Sequence, residues 1–264
     1  MHRPLFSSSL CAVATLAVVL VAPLARATEA APSAAADPSS EHLRGLEIML
    51  RPTLGSVGSS SPIVAKGDSA DIPQPLRQGS SLGGTSLGAG LQLGFRFHPL
   101  VSAGLRADLG KVGSETPSDG TSNLSRSWQS AGLYARVYPL ALHEGARAYV
   151  DPWLASGITY VHDGQTFSTA TPSNGGGKVD VAWQADSHAI GVPIGIGVDY
   201  RITKWLSAGP SFEYVIMTPL AGCVKGNAPG ATEVRVCTDD AKGNLTASAA
   251  GAWNAGLSLR VTPF

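Results

Sequence analysis

Ile190 to Tyr200 reads IGVPIGIGVDY, and its two sets of alternate residues could hardly differ more. Ile190, Val192, Ile194, Ile196, Val198 and Tyr200 fall on one side of an extended chain. Gly191, Pro193, Gly195, Gly197 and Asp199 fall on the other. Successive side chains of a strand point to opposite faces, so this is a strand with one aliphatic face and one face that is tiny or charged.

The same pattern recurs outward from this stretch. Toward the N-terminus it is found at residues 45–55, 87–97, 101–110, 130–137 and 148–160, and toward the C-terminus at 206–216 and from about 252 to the end. The links alternate between short and long. His98-Pro99-Leu100, residues 139–145 and residues 201–204 are short, whereas 58–85, 111–127, 162–187 and 218–248 are long and rich in Ser, Gly, Pro and Asp. Val179, Val181 and Trp183 continue the alternation within one long link, which extends that hairpin beyond the apolar zone. The layout predicts an all-β, antiparallel, up-and-down transmembrane barrel of about eight strands.

Residue size decides which face is inside. A solvent face gains nothing from many glycines, which weaken strands, but a crowded interior needs them. The glycine-bearing face also carries Glu47, Arg51, Arg96, Arg106, Asp108, Arg136, Asp151, Asp199, Glu213 and Arg260, equal numbers of acids and arginines, as expected of charges enclosed in a lumen. The opposite face is nearly free of charge, as lipid contact requires. Phe97, Tyr138, Tyr149, Tyr200, Trp205 and Phe264 lie beside the short turns or the chain end, and Trp128, Tyr160, Trp183 and Tyr214 near the long loops, which predicts two interfacial girdles.

The N-terminus carries His2-Arg3, an apolar run from Leu10 to Ala22, and Ala25-Arg26-Ala27 as a small-x-small cleavage site. The run is short against the roughly 20 residues of a spanning helix. Residues 1–27 therefore read as a signal peptide that takes Cys11 with it, 28–43 as a flexible spacer and 44–264 as the barrel. Cys223 and Cys237 remain, an even pair in an exported chain, and predict a disulfide.

Lys plus Arg equals Asp plus Glu, 19 against 19, so no net field attracts nucleic acid. His98, His143, His162 and His188 sit in no nucleophile motif, and no spacing fits a metal or cofactor template; no catalytic residue, cofactor or metal ligand is predicted.

The turn Asp199-Tyr200-Arg201-Ile202-Thr203-Lys204-Trp205, the glycine-alternating strands and the terminal Phe264 resemble the small eight-stranded outer-membrane barrels of Gram-negative bacteria, the OmpA/OmpX/OmpW-like group, over Gly45 to Phe264. The resemblance implies location in the outer membrane, short turns in the periplasm, long loops outside, lipid and the barrel-insertion machinery as partners, a monomer, and a role in membrane integrity or loop-mediated binding. Two features depart from the pattern. Phe264 is out of phase with Leu257, Leu259 and Val261 across Pro263, and Pro52, Pro152, Pro193 and Pro210 fall within strands, where a closed barrel calls for bulges or strand ends. Two other readings stay open: a soluble periplasmic or secreted lipocalin-like barrel with its aliphatic face inward around a small hydrophobic ligand, and a lipid-modifying outer-membrane enzyme.

Overall fold

The computed structural model describes residues 45–57, 63–65, 84–113, 121–141, 150–172, 178–227, 234–238, 245–247 and 250–262. The predicted signal peptide and spacer lie outside these residues, as do Tyr149 and Phe264. The strands are β1 (Gly45–Val57), β2 (Ile63–Ala65), β3 (Gly84–His98), β4 (Val101–Val112), β5 (Thr121–Val137), β6 (Val150–Pro172), β7 (Lys178–Arg201), β8 (Leu206–Asn227), β9 (Val234–Cys237), β10 (Leu245–Ala247) and β11 (Ala250–Val261).

Eight of them close a ring in the order β1, β3, β4, β5, β6, β7, β8, β11, with β11 paired back to β1 and every pairing antiparallel. β9 pairs with the end of β8, and β2 with β10 forms a separate two-stranded sheet. Pairing followed once around the wall runs from Leu46 through Phe95, Ala103, Ala135, Ser156, Ile194, Tyr214 and Trp253 to Ser56. The path returns to β1 ten residues from its start, between Leu46 and Ser56. That stagger over eight strands tilts the strands by about 40° to the barrel axis.

The two faces fall as alternation predicts. On the outer face Leu87, Leu105 and Leu109 are 69%, 60% and 62% exposed, whereas Glu47, Arg136 and Asp199 on the inner face are at 1% or less. The burial is thus that of a barrel with its oil outside. The lipocalin-like reading requires the aliphatic face inward, and the barrel has it outward.

β5 to β8 are 17, 23, 24 and 22 residues long, against 12 to 15 for β1, β3, β4 and β11. Strand structure therefore enters 121–127, 162–172 and 218–227, which sequence assigned to loops. Past the apolar zone a strand no longer needs an aliphatic face, so its alternation fades while its hydrogen bonding continues. At the other end the links are tight. In the β7–β8 turn the amides of Ile202 and Thr203 donate to the Leu206 carbonyl at 2.9 and 3.0 Å, and Thr203 Oγ1 accepts from the Leu206 amide at 3.1 Å.

Three of the four prolines that the sequence placed within strands sit neither at bulges nor at strand ends. At Pro52 the ladder to β11 lapses between Leu50 and Thr53 and resumes in the same register, while pairing to β3 is continuous. Pro193 interrupts only the β6 side and Pro210 only the β7 side. Pro152 lies where β6 has outrun β5 and pairs with β7 alone. Each proline lacks one donor, and at Pro52, Pro193 and Pro210 the pairing lapses on one side only.

Candidate functional site

Among the described residues the lumen is where the chain concentrates its charged chemistry, and it is layered. Nearest the short turns, Arg260 donates to Glu47 at 3.2 Å and to Asp151 at 2.9 Å, and its Nε lies 3.3 Å from Asp199. Arg96 donates to the same Asp151 oxygen at 2.9 Å, and its guanidinium lies 3.5 Å above the Tyr138 ring. The Tyr138 hydroxyl donates to Glu47, and Ser258 donates to Asp199. Arg136 completes the layer, donating to Gln92 at 2.6 Å and lying 4.4 Å over the Trp153 ring. Three arginines thus face three carboxylates.

Farther along the axis, Arg106 grips Glu213 with both terminal nitrogens, at 2.8 and 2.7 Å, and its Nε donates to Asp108 at 2.9 Å. Arg51 adds contacts to Glu213 at 3.0 Å and to Asp108 at 3.5 Å, and Ser130 donates to Asp108 at 3.0 Å. Two cations meet two anions. Toward the long-loop end, Arg126 pairs with Asp163. Each layer is neutral on its own, which is the arrangement that low-dielectric burial demands, since an uncompensated charge there costs several kcal/mol. Arginine suits the task because its planar fork binds carboxylates with two donors and stacks on rings.

All ten residues named from sequence lie in the first two layers, with Asp151, at 16% side-chain exposure, the least enclosed. Arg126 and Asp163 are additions. They continue the inward set Arg136, Tyr134, Gly132 and Ser130 on β5 and Thr159 on β6 past the end assigned to each strand, so following the parity upward finds them. The girdle assignment needs three corrections, the first at Trp183, which keeps the inward parity of Ala185 and Ser187 on β7 and donates from Nε1 to Thr169 Oγ1 at 2.9 Å. Tyr138 is fully buried with its hydroxyl on Glu47, because it keeps the inward parity of Tyr134 and Arg136. Trp128 packs against an interior cluster of Val112, Val161, Ala189, Met217 and Ala252. Tyr200 and Trp205 at one end and Tyr160, Tyr214 and Trp253 at the other are half-exposed on the outer face.

Little space remains. A cavity of about 30 Å³ lies between the second and third layers, lined by Arg106, Glu213, Trp128, Val161, Val215 and Met217 among others. It has room for about two waters. The glycines make this filling possible: a Cβ at Gly94 would strike the Tyr134 hydroxyl, and one at Gly197 the Trp153 ring.

At the long-loop end Cys223 and Cys237 form a disulfide joining directly paired residues of β8 and β9.

No protein-family model matches the chain, nor does any curated protein. Among solved structures it is similar to a major outer membrane protein from Thermus thermophilus, at 14% identity and a TM-score of 0.50, over 81% of this chain and 98% of that one. It also aligns with Neisserial surface protein A, at 11% identity and a TM-score of 0.45 over 83% and 99%, and with the outer membrane protein OprG from Pseudomonas aeruginosa, at 13% and 0.42 over 83% and 98%. Likeness at such identity speaks to the fold. The fold so shown is an eight-stranded antiparallel β-barrel, which the closed ring and its aliphatic outer face also give.

Proposed function

We propose that the chain is a monomeric, non-enzymatic outer-membrane barrel, closed to free diffusion, that reinforces the membrane and carries its long-loop end on the cell surface for contact with external partners. The observation that carries this reading is the pairing of a neutral, ion-paired lumen with an aliphatic exterior. The outward residues from Ile190 to Tyr200, on strands tilted by about 40°, form a band about 25 Å tall, the height of the apolar belt of such barrels. Export by a cleaved signal, delivery by the barrel-insertion machinery and placement of the short turns in the periplasm belong to the same proposal.

The enzyme reading has less support: among the described residues no serine or threonine hydroxyl is hydrogen-bonded to His162 or His188, and the hydroxyl that meets His188 is that of Tyr160. The test combines two measurements on signal-processed protein in detergent. Unboiled and boiled samples should migrate differently on a denaturing gel, and planar bilayers containing the folded protein should show no ion current above baseline. A folded protein that stays soluble without detergent overturns the membrane assignment, and stepwise currents overturn the closed lumen.

A further inference from the structure

Where β7 turns into β8, Arg201, Ile202, Thr203, Lys204 and Trp205 are all exposed. Neither Arg201 nor Lys204 forms an ion pair, in contrast to Arg51, Arg96, Arg106, Arg126 and Arg260 in the lumen. Large apolar groups accompany the two cations. Ile202 is 61% exposed and Trp205 46%, and Tyr200, the last outward residue of the aliphatic set on β7, is 52% exposed. The apolar band therefore does not stop at the end of the strand but runs into the turn, and the cations stand beside it.

The backbone of this turn is held at both ends. The amides of Trp205 and Leu206 donate to Thr203 Oγ1 at 3.3 and 3.1 Å, and the Thr262 amide donates to the Trp205 carbonyl at 2.9 Å, which ties the turn to the end of β11. Tyr200 and Arg201 stay paired with Ala208 and Ser207. Aromatic side chains at the edge of an apolar band mark the depth of the lipid headgroups, and cations just beyond them lie at the depth of the phosphates. From this arrangement we propose that Arg201 and Lys204, with Ile202 and Trp205 at the acyl boundary, bind the headgroup of an acidic phospholipid at the short-turn rim of the barrel. The site rests on the outer-membrane reading above, which puts this rim in the periplasmic leaflet.

Charge complementarity selects the lipid. A zwitterionic headgroup brings its own cation and gains little from two more, whereas a headgroup with net negative charge is drawn to each of them. The carboxylates of the nearest lumen layer do not oppose such an anion, because Glu47, Asp151 and Asp199 are already engaged by Arg96 and Arg260. A soluble acidic polymer would meet the same cations but leave Ile202 and Trp205 in water, so the exposed apolar pair favours a ligand with acyl chains. At the opposite rim Lys111, just past Leu109 on the outer face of β4, is also exposed, but as a single cation. The two ends of the barrel thus differ in the lipid they retain.

The test releases the folded, signal-processed chain from micelles holding equal amounts of phosphatidylglycerol and phosphatidylethanolamine and reads the retained lipid by native mass spectrometry. Phosphatidylglycerol should be retained over phosphatidylethanolamine by about 25-fold, about fivefold for each cation. Arg201→Gln and Lys204→Gln should each lower the ratio by about fivefold and together bring it near unity, while Lys111→Gln leaves it unchanged. In vesicles, phosphatidylglycerol with brominated acyl chains should quench tryptophan emission more than its brominated phosphatidylethanolamine counterpart, and Trp205→Phe should remove the difference. Equal retention of the two lipids, a preference that survives the double substitution, or a quenching difference that survives Trp205→Phe overturns the site. The boiled-versus-unboiled gel shift, read on the same samples, reports the barrel itself, so failure of the site and failure of the outer-membrane reading are told apart.

Discussion

Arg106 of β4 and Glu213 of β8 meet across the lumen as a two-pronged pair, Nη1 to Oε2 at 2.8 Å and Nη2 to Oε1 at 2.7 Å. The same carboxylate accepts from Arg51, so one acid neutralises parts of two guanidiniums on different strands. Replacing Glu213 with Ala leaves Arg51 and Arg106 enclosed with only Asp108 between them. The expected loss is about 3–5 kcal/mol, the range for stranding a buried charge. Urea unfolding of the barrel in lipid vesicles measures it; a loss below about 1 kcal/mol would mean that water reaches the layer freely.

Ile194 sits mid-band on the outer face and is 51% exposed. Facing lipid, Ile194→Arg costs about 2–4 kcal/mol, whereas the same change on a water-facing surface costs almost nothing. Equilibrium unfolding in vesicles separates the two, and insensitivity to this substitution would count against immersion of the band.

Gly94 and Gly164 both lie on strands of the wall, yet they tolerate a methyl group differently. A Cβ at Gly94 runs into the Tyr134 hydroxyl, while at Gly164 the nearest atom is 3.5 Å away, an ordinary contact. Gly94→Ala should therefore cost about 1–3 kcal/mol by displacing the buried ring. Gly164→Ala should stay within about 0.5 kcal/mol. Equal effects would show that the lumen repacks around Tyr134 without strain.

The Cys223–Cys237 bridge closes a segment with a sequence separation of 14 between its ends, worth about 3 kcal/mol to that segment in a chain-entropy account. It joins β9 to β8 beyond the ring, so its reduction should raise amide exchange in Val234–Cys237 while exchange within β1, β3 and β4 stays unchanged. Hydrogen exchange followed by mass spectrometry reads both. Loss of the gel shift on reduction would instead tie the bridge to the barrel itself.

The wall was legible in the sequence wherever the chain crosses the apolar zone, because the aliphatic set around Ile194 and the glycine set around Gly195 are segregated by side-chain direction alone. The lumen charges were legible for the same reason: Arg96, Arg106 and Asp199 share the parity of the glycines. Legibility failed where solvent replaces lipid. Arg126 and Asp163 sit among serines, glycines and threonines with no aliphatic counter-face, so their strands read as loops. Tyr138 was misplaced because an aromatic next to a turn looks alike whether it faces headgroups or Glu47; only its even-numbered succession from Tyr134 separates the two. The prolines were misjudged because a ladder can lapse on one side and resume in register, a remedy that leaves no mark in composition.

The ion pairs of the lumen also carry a statement about time. Glu47 and Arg260 are separated by 213 positions, and Arg51 and Glu213 by 162. Neither pair can form while the chain is a growing, open sheet. Until β11 reaches β1, the members of these two pairs stay apart, and water supplies part of what each partner later provides. Arrival of the last strand is therefore the step at which the charges exchange solvent for one another, and a chain that stops short of it is held back from maturity by its own first strand.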